Sequence, residues 1–272
     1  MGVRYPAVEG QFYPASPASL LAQVSMYIDS AKIEQPKNKV LGIISPHAGY
    51  IYSGPTAGYA FARIRGLTVN RVILVGRSHR YLFHGLALAD YDSFKTSVGE
   101  FPVDNTFYND IEEIVQAKKY NAPHQYEHCL EVLLPFIYGS LGIVPIVPIL
   151  LGEEPSLEHY EYGRKIASIA NENDLIIAST DLSHYLPESY ANKIDKETIE
   201  AIKQKNLTDL VEGLATEKYS MCGAPAVLLA MGFSSYFGDY TVTLLDYSTS
   251  ARTSGDYSSV VGYASISFEL SN

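Results

Sequence analysis

Histidine side chains follow several of the short aliphatic runs in the sequence. Three of these runs lead within a few residues into His47, His79 and His184. In an open α/β sheet, ligands bind beyond the carboxyl ends of the strands, so we expect the three rings at one pocket. Two imidazoles at such an edge begin a metal site, which needs a third protein ligand. The alternative for His47 or His79 taken alone is a loop histidine bonded to a nearby carbonyl group.

Asp181 precedes His184 by three residues, a spacing that puts both side chains on one face of a helical turn. There the carboxylate would orient the imidazole and raise its basicity, or His184 would act as a general acid or base. The alternative is that Asp181 caps a helix and His184 lies in its first turn. We predict that both residues are catalytic.

Cys222 lies just before an apolar segment that is predicted to be a helix. A helix N-terminus favours the thiolate form, and a thiolate is a good ligand for zinc, iron or copper. Cys222 is therefore a candidate third metal ligand, with a small buried hydrophobic side chain as the alternative. Cys129, inside a segment of helical period, is predicted to be buried in the core.

Several further residues are candidates for the rim of the pocket. Glu127 and His128 open a predicted helix, where helix capping is the alternative role for the glutamate. Tyr50 follows His47 closely and is one of several tyrosines that could line the cleft. The remaining histidines have no such neighbours and are expected at the surface or the rim: His84, His124 and His159.

The elements that position these residues follow an α/β pattern, in which β-branched runs alternate with segments of helical period. The predicted strands cover residues 40–44, 72–75, 143–150, 175–178, 241–245 and 260–268, with a weaker candidate at 85–89. The predicted helices cover residues 16–31, 104–118, 127–138, 156–171, 187–205 and 224–231. We predict a single domain over residues 1–272, with a mostly parallel central sheet, helices on both faces and antiparallel strands at its edge.

The composition excludes several classes of protein. Of the 272 residues, 47% are hydrophobic, which is too many for a disordered chain. A net charge of −10 without a basic stripe argues against nucleic-acid binding. We expect no membrane span and no signal peptide, because no apolar run has the required length. Two cysteines cannot form a disulfide framework, so the cytoplasm is the expected compartment.

Motifs for nucleotide binding and serine hydrolysis are absent from the sequence. There is no Gly-x-Gly-x-x-Gly and no Walker-type Gly-Lys-Ser, so we expect no nucleotide cofactor. A Gly-x-Ser-x-Gly elbow is also missing, which argues against a serine hydrolase.

A series of ordered motifs resembles the Memo family, also called AmmeMemoRadiSam system protein B, over almost the whole chain. The motifs are Gly10-Gln11-Phe12-Tyr13-Pro14, Ser45-Pro46-His47-Ala48-Gly49-Tyr50, Ser78-His79, Glu127-His128-Cys129-Leu130-Glu131, Leu134-Pro135-Phe136, Asp181-Leu182-Ser183-His184-Tyr185, Cys222-Gly223 and Ser258-Ser259-Val260-Val261-Gly262-Tyr263. That family is similar to the class III extradiol dioxygenases, which are non-haem iron enzymes that open catechol rings.

The resemblance implies roles for particular residues. It implies His47 and His79 as metal ligands, with Cys222 where the dioxygenases carry a carboxylate ligand. It also implies His184 as the catalytic histidine, accompanied by Asp181. Because a thiolate changes the charge and the redox behaviour of the site, ring-cleaving activity does not carry over. Arg77 stands where the family usually has proline, and it adds a cation at the pocket rim that favours an anionic ligand.

Three functions remain open at this stage. The first is a metal-binding oxidoreductase that holds iron or copper, with zinc as a further candidate, or an auxiliary protein of a radical-enzyme pathway. The second is a non-catalytic protein that binds a peptide or small ligand in the same cleft. The third is metal-free thiol chemistry at Cys222 with His184 as base. The sequence leaves the number of subunits open, a homo-oligomer included.

Overall fold

The computed structural model describes residues 2–271. Its strands are β1 Val3–Arg4, β2 Val40–Ser45, β3 Arg71–Arg77, β4 Leu86–Leu88, β5 Ser93–Thr96, β6 Gly99–Pro102, β7 Lys118–Lys119, β8 Ile146–Leu151, β9 Asp174–Ser179, β10 His184–Leu186, β11 Tyr240–Thr249 and β12 Val260–Leu270. Its helices are α1 Pro17–Ser30, α2 Tyr50–Arg63, α3 Asn105–Val115, α4 Asn121–Gln125, α5 Leu134–Leu141, α6 Leu157–Ile169, α7 Glu188–Gln204, α8 Leu207–Ala215, α9 Ala224–Tyr236 and α10 Ala251–Ser254, with a 3₁₀ turn at Glu131–Leu133.

The larger sheet has a parallel centre and antiparallel flanks. β2, β9, β3 and β8 pair in parallel, in that order. On one side β12 is antiparallel to β2, β10 and β11, and on the other side β4 is antiparallel to β8 and parallel to the short β7. β1, β5 and β6 form a separate small sheet. The prediction of an α/β fold is confirmed: the sheet is mixed, with a parallel centre and the expected antiparallel strands on its flanks.

Helices flank the sheet as predicted. α9 packs on β3 and β9 and is covered in turn by α6, while α2 packs on β2 and β12 and is covered by α1. The apolar face of α1 explains its place, because Leu20, Val24 and Ile28 are buried at helical spacing. Ser16 caps this helix by accepting a hydrogen bond from the Ser19 N–H, with Pro17 in the first turn.

Helix α2 was missed by the sequence analysis because its sequence contains residues that usually interrupt helices. Gly54, Pro55 and Gly58 all lie within it. A Cβ atom at Gly54 would lie 2.3 Å from the Tyr27 ring, and one at Gly58 would lie 2.4 Å from the Tyr27 carbonyl oxygen. The glycines are therefore required where α1 approaches α2, a tertiary constraint that overrides local helix propensity.

The helix predicted over residues 127–138 was wrong in its first half. The chain turns between α4 and the 3₁₀ segment, and the regular helix α5 starts only at Leu134. The turn forms because the Glu127 carboxylate accepts hydrogen bonds from the backbone N–H groups of His128 and Cys129. Cys129 is fully buried as predicted, but in this turn rather than in a helix.

Asp181 and His184 do not share a helical turn, which corrects the prediction from their spacing. After β9 the chain stays extended, and the Leu182 N–H donates to the carbonyl oxygen of Gly262. His184 is the first residue of β10, which pairs with β12. Pairing with the neighbouring strand satisfies the backbone here, so a helix cap is not needed.

Two histidines that were expected at the surface or the rim are buried. His124 and His159 are 1% and 0% exposed. His124 Nε2 donates to the carbonyl oxygen of Ala87 at 2.9 Å, and burial lowers the pKa of His124 to about 4. Neither residue was distinguished by a sequence pattern, because both are brought inside by packing between distant segments.

The free energy of unfolding is expected to fall as the pH is lowered from 6.5, the ordinary pKa of histidine, to about 4, partly because of His124. In this range the unfolded chain binds a proton at His124 that the folded chain does not, so acid favours unfolding. Urea unfolding from pH 4 to 7 should give a shallower pH dependence for His124→Gln than for the wild type. Identical slopes would show that His124 titrates normally.

No helix within residues 2–271 combines the length and the apolar character that crossing a membrane requires.

Candidate metal centre

The order of the central strands brings the predicted ligands to one edge of the sheet. β2 and β3 both pair with β9 in parallel, so the segments that follow these three strands emerge side by side. His47 follows β2, His79 follows β3, and Asp181 follows β9. This is the edge at which α/β sheets bind ligands.

His47, His79 and Cys222 converge beyond this edge. One potential ligand atom from each residue lies within 4.8 Å of the others. His47 Nε2 lies 3.3 Å from Cys222 Sγ, and the two imidazole centroids are 5.1 Å apart. The Asp181 N–H donates to Cys222 Sγ at 3.2 Å, and the Cys222 N–H donates to the Asp181 carbonyl oxygen, so backbone contacts hold the thiol in position.

The hydrogen bonds of His47 determine which ring nitrogen is free. The Ser179 hydroxyl donates its only proton to the Cys129 carbonyl oxygen at 2.6 Å, so it must accept the bond from His47 Nδ1–H at 2.8 Å. Nε2 then carries the lone pair that faces Cys222. Burial, together with the neighbouring His128 and His79, holds the pKa of His47 well below 6.5, so the ring is neutral.

Glu127 fixes His79 in the same way. Its carboxylate accepts from His79 Nδ1 at 2.9 Å and from the His79 N–H at 2.7 Å. Burial would raise the pKa of Glu127, but hydrogen bonds from His128 and His79 hold it far below its usual range. Burial likewise opposes charging of His79, but hydrogen bonds with Cys222 and Glu127 raise its pKa to about 10.

Asp181 contacts His47 rather than His184. The Asp181 carboxylate is 4% exposed and accepts a hydrogen bond from the His47 N–H at 2.8 Å, and burial raises its pKa. His184 Nδ1 instead bonds the carbonyl oxygen of Leu182 at 2.8 Å. The expected orientation of His184 by Asp181 is therefore replaced by a backbone contact, which still leaves His184 Nε2 as a proton acceptor.

Two cavities meet at His184, which lines both. One has a volume of about 410 Å³ and is lined by His128, Asp181 and the aromatic side chains Phe12, Tyr52, Tyr185 and Tyr263. The other, of about 360 Å³, is lined by Arg77, Glu154, Tyr219 and Met221. An ionisable ring between two cavities can contact a ligand in either of them.

Only some of the residues predicted at the pocket rim line a cavity. His128 lines the aromatic cavity, and Arg77 lines the second cavity, where it forms a salt bridge with Glu154. Glu127, by contrast, is buried behind His79. Tyr50 is 2% exposed and donates to the Val132 carbonyl oxygen, so its prediction at the rim was wrong. As the first residue of α2, Tyr50 faces the core.

A sequence model described as Memo-like protein matches residues 4–267. The chain belongs to the Memo family. MEMO1 family proteins from Archaeoglobus fulgidus and Thermotoga neapolitana are 36% and 34% identical to it, covering 98% and 97% of this chain and 100% and 98% of their own. The corresponding protein of Methanocaldococcus jannaschii is 33% identical, with 97% and 98% covered.

One solved structure has a fold similar to that of this chain. An uncharacterised protein from Escherichia coli K12 superposes with a TM-score of 0.50 over 83% of this chain and 98% of its own. Its sequence is only 13% identical, so the similarity concerns the fold alone.

Ser179 and Thr180 contact this candidate site directly and were not predicted from the sequence; the Thr180 hydroxyl lies 3.8 Å from Cys222 Sγ. Ser179, the last residue of β9, fixes the ring of His47 through its hydroxyl. The sequence could have indicated Ser179 as a site residue, because its hydroxyl ends the strand that leads into Asp181. Arg4, which donates to the carbonyl oxygen of Glu127 at 2.6 Å, had no such signal, because more than 120 residues separate the two.

Proposed function

We propose that this chain is a metal-binding oxidoreductase that holds iron or copper through His47, His79 and Cys222, with zinc as a further candidate. The observation that carries the proposal is the convergence of two imidazoles and one thiol within 4.8 Å. The side chains fit a metal ion because both Nδ1 atoms are already engaged, by Ser179 and Glu127, which directs both Nε2 atoms toward the thiol. His47 Nε2 carries a lone pair, whereas His79 Nε2 would ligate after losing the proton that it shares with Cys222.

The donor set favours a soft or borderline transition metal. One thiolate and two imidazoles suit copper, iron or zinc better than magnesium or calcium, which prefer oxygen ligands. Three protein ligands leave positions for a substrate, as in catalytic metal sites. When bound, iron or copper would supply redox chemistry, and zinc would act only by polarising a substrate oxygen.

The remaining residues of the site would bind the substrate and move its proton. His184 Nε2 is available as a proton acceptor because Nδ1 bonds the Leu182 carbonyl oxygen. The aromatic walls of the 410 Å³ cavity would hold a small, partly apolar substrate and exclude water. Buried Asp181 would keep the His47 backbone in place.

The second candidate function is ligand binding without catalysis. The observation that favours it is the aromatic lining, which includes the ring of Tyr185, 77% exposed. Such a surface can bind a peptide or small molecule with no metal present. The two functions differ in what Cys222→Ser does, because a binding protein would keep its ligand affinity in that variant.

Anaerobic titration of the metal-free protein with Fe(II), Cu(I) and Zn(II) tests the first function. The wild type should bind an ion that His47→Ala, His79→Ala and Cys222→Ser each fail to bind. His184→Gln should keep it, because His184 is not a proposed ligand. The affinity should fall as the medium becomes more acidic, since ligation needs a thiolate and neutral imidazoles. Equal affinity in all five proteins would exclude the proposed metal site and favour the binding protein.

A further inference from the structure

A second group of potential metal ligands lies away from the proposed centre. His84 belongs to the segment between β3 and β4, Glu153 to the segment between β8 and α6, and Glu158 to the first turn of α6. One potential ligand atom from each residue lies within 4.8 Å of the others. His84 Nδ1 hydrogen-bonds the Glu153 carboxylate, which also accepts from the Gly85 N–H.

The charges of this group favour a cation. The carboxylates of Glu153 and Glu158 approach each other here, and within residues 2–271 the only basic side chains within 4.0 Å of the Glu153 carboxylate are the imidazoles of His84 and His159. Glu158 accepts a hydrogen bond from the neutral hydroxyl of Tyr162 at 2.7 Å. The negative charges of the Glu153 and Glu158 carboxylates repel each other, and a divalent cation between the two carboxylates would attract both.

The buried ring of His159 is an independent sign that a ligand belongs here. Its Nδ1 accepts from the Ser156 N–H at 3.0 Å, so in the neutral ring the proton is on Nε2. Nε2 is buried without a hydrogen-bond partner among the residues described, and it lies 3.4 Å from Glu153 Oε1. An unpaired buried donor is unfavourable, and a carboxylate that ligates a metal usually accepts a hydrogen bond from such a neighbouring group.

We propose that His84, Glu153 and Glu158 form a second cation site that binds a divalent transition metal such as Zn²⁺. One imidazole nitrogen and two carboxylate oxygens are donors that Zn²⁺ accepts. A small rotation of the Glu153 carboxylate toward His159 would pair the buried donor and direct the other carboxylate oxygen to the ion. This site shares no residue with the proposed function and does not depend on it.

A cation at this site would link two segments of the chain that are distant in sequence. His84 lies on the segment that follows His79, and Glu153 lies next to Glu154, which pairs with Arg77. A bound ion would join these two segments. It would also border a cavity of about 830 Å³ lined by His84, Glu158, Tyr120 and Lys165, from which water or an anionic ligand could complete its coordination.

Counting the bound ions tests the proposal. Metal-free full-length protein is dialysed against buffered Zn²⁺, and the zinc bound per chain is measured by elemental analysis. We expect two ions for the wild type and one for His84→Ala and for Glu153→Gln. The matched control is Glu154→Gln, which removes the neighbouring exposed carboxylate and should leave two ions. His84 is 77% exposed, so its replacement should not disturb folding.

The variants also separate this site from the proposed centre. Cys222→Ser should retain one ion, and Cys222→Ser combined with His84→Ala should retain none. If the proposed centre binds no zinc, the wild type will bind one ion, which His84→Ala and Glu153→Gln each remove and Cys222→Ser retains. The second site is excluded if His84→Ala and Glu153→Gln bind as many ions as the wild type, or if Glu154→Gln loses an ion to the same extent.

Discussion

Replacing Arg4 with methionine is expected to lower the free energy of unfolding by about 3–5 kcal/mol, because it leaves a buried carboxylate without its partner. Arg4 and Glu131 form a salt bridge in which the side chains are 2% and 0% exposed. Methionine fills much of the same volume but carries no charge, so the Glu131 carboxylate would have to stay buried without its counter-ion or take up a proton.

The effect should be large because Glu131 anchors a whole segment. Its carboxylate also accepts hydrogen bonds from the Ala7 and Val8 N–H groups and from the Tyr13 hydroxyl. Arg4 in turn donates to the carbonyl oxygen of Glu127 at 2.6 Å. Weakening the pair should therefore loosen the N-terminal segment and the turn that supports His79 together.

Urea unfolding of the metal-free protein measures the difference. The matched control is Arg65→Met, which breaks the exposed salt bridge between Arg65 and Asp29, with 53% and 57% exposed side chains. That change should cost about 1 kcal/mol or less. A loss of similar size in both variants would show that the buried pair contributes no more than a surface pair.

The parts of the site that follow a strand directly could be predicted from the sequence. His47 and His79 come two residues after β2 and β3, and parallel strands deliver such residues to a common edge whatever the details of packing. The proposal of Cys222 as the third ligand came from the resemblance to the Memo family and from its position before an apolar helix. Its approach to His47 then follows from the packing of α9 on β9.

The parts that depend on contacts between distant segments could not be predicted. Gly54 and Gly58 interrupt the helical pattern of α2 in the sequence. They are needed because a larger residue would clash with the neighbouring helix α1. The spacing of Asp181 and His184 is compatible with a helix, but no helix forms because His184 begins β10, which pairs with β12. The second group of potential ligands was missed because His84 lies far in the sequence from Glu153 and Glu158. The burial of His159 beside them carries no sequence signal either.

Replacing Glu127 with glutamine is expected to weaken metal binding at the proposed centre by roughly 10–100-fold, the usual effect of losing a carboxylate that supports a ligating histidine. The Glu127 carboxylate accepts from His79 Nδ1 and from three backbone N–H groups, those of His79, His128 and Cys129. Glutamine offers one oxygen instead of two, so its NH₂ group would face at least one of these donors. Because three of the donors share Oε1, glutamine would keep its oxygen there and lose the hydrogen bond from the His79 N–H at Oε2. His79 Nδ1–H would then bond an uncharged amide oxygen, a weaker acceptor than the carboxylate, and the His79 backbone would lose its anchor.

Stability and metal affinity must be measured separately in this variant, because an unpaired buried donor also costs roughly 1–3 kcal/mol. Urea unfolding of the metal-free protein gives the first quantity, and anaerobic titration with Fe(II), Cu(I) and Zn(II) gives the second. Glu154→Gln is the control, since Glu154 is 80% exposed and bonds Arg77 rather than a proposed ligand. If Glu127→Gln stays folded and binds each metal as tightly as the wild type, the carboxylate does not support a ligand. If its affinity falls while that of Glu154→Gln is unchanged, the loss comes from His79, because the two variants remove the same charge and differ in whether the carboxylate bonds the imidazole.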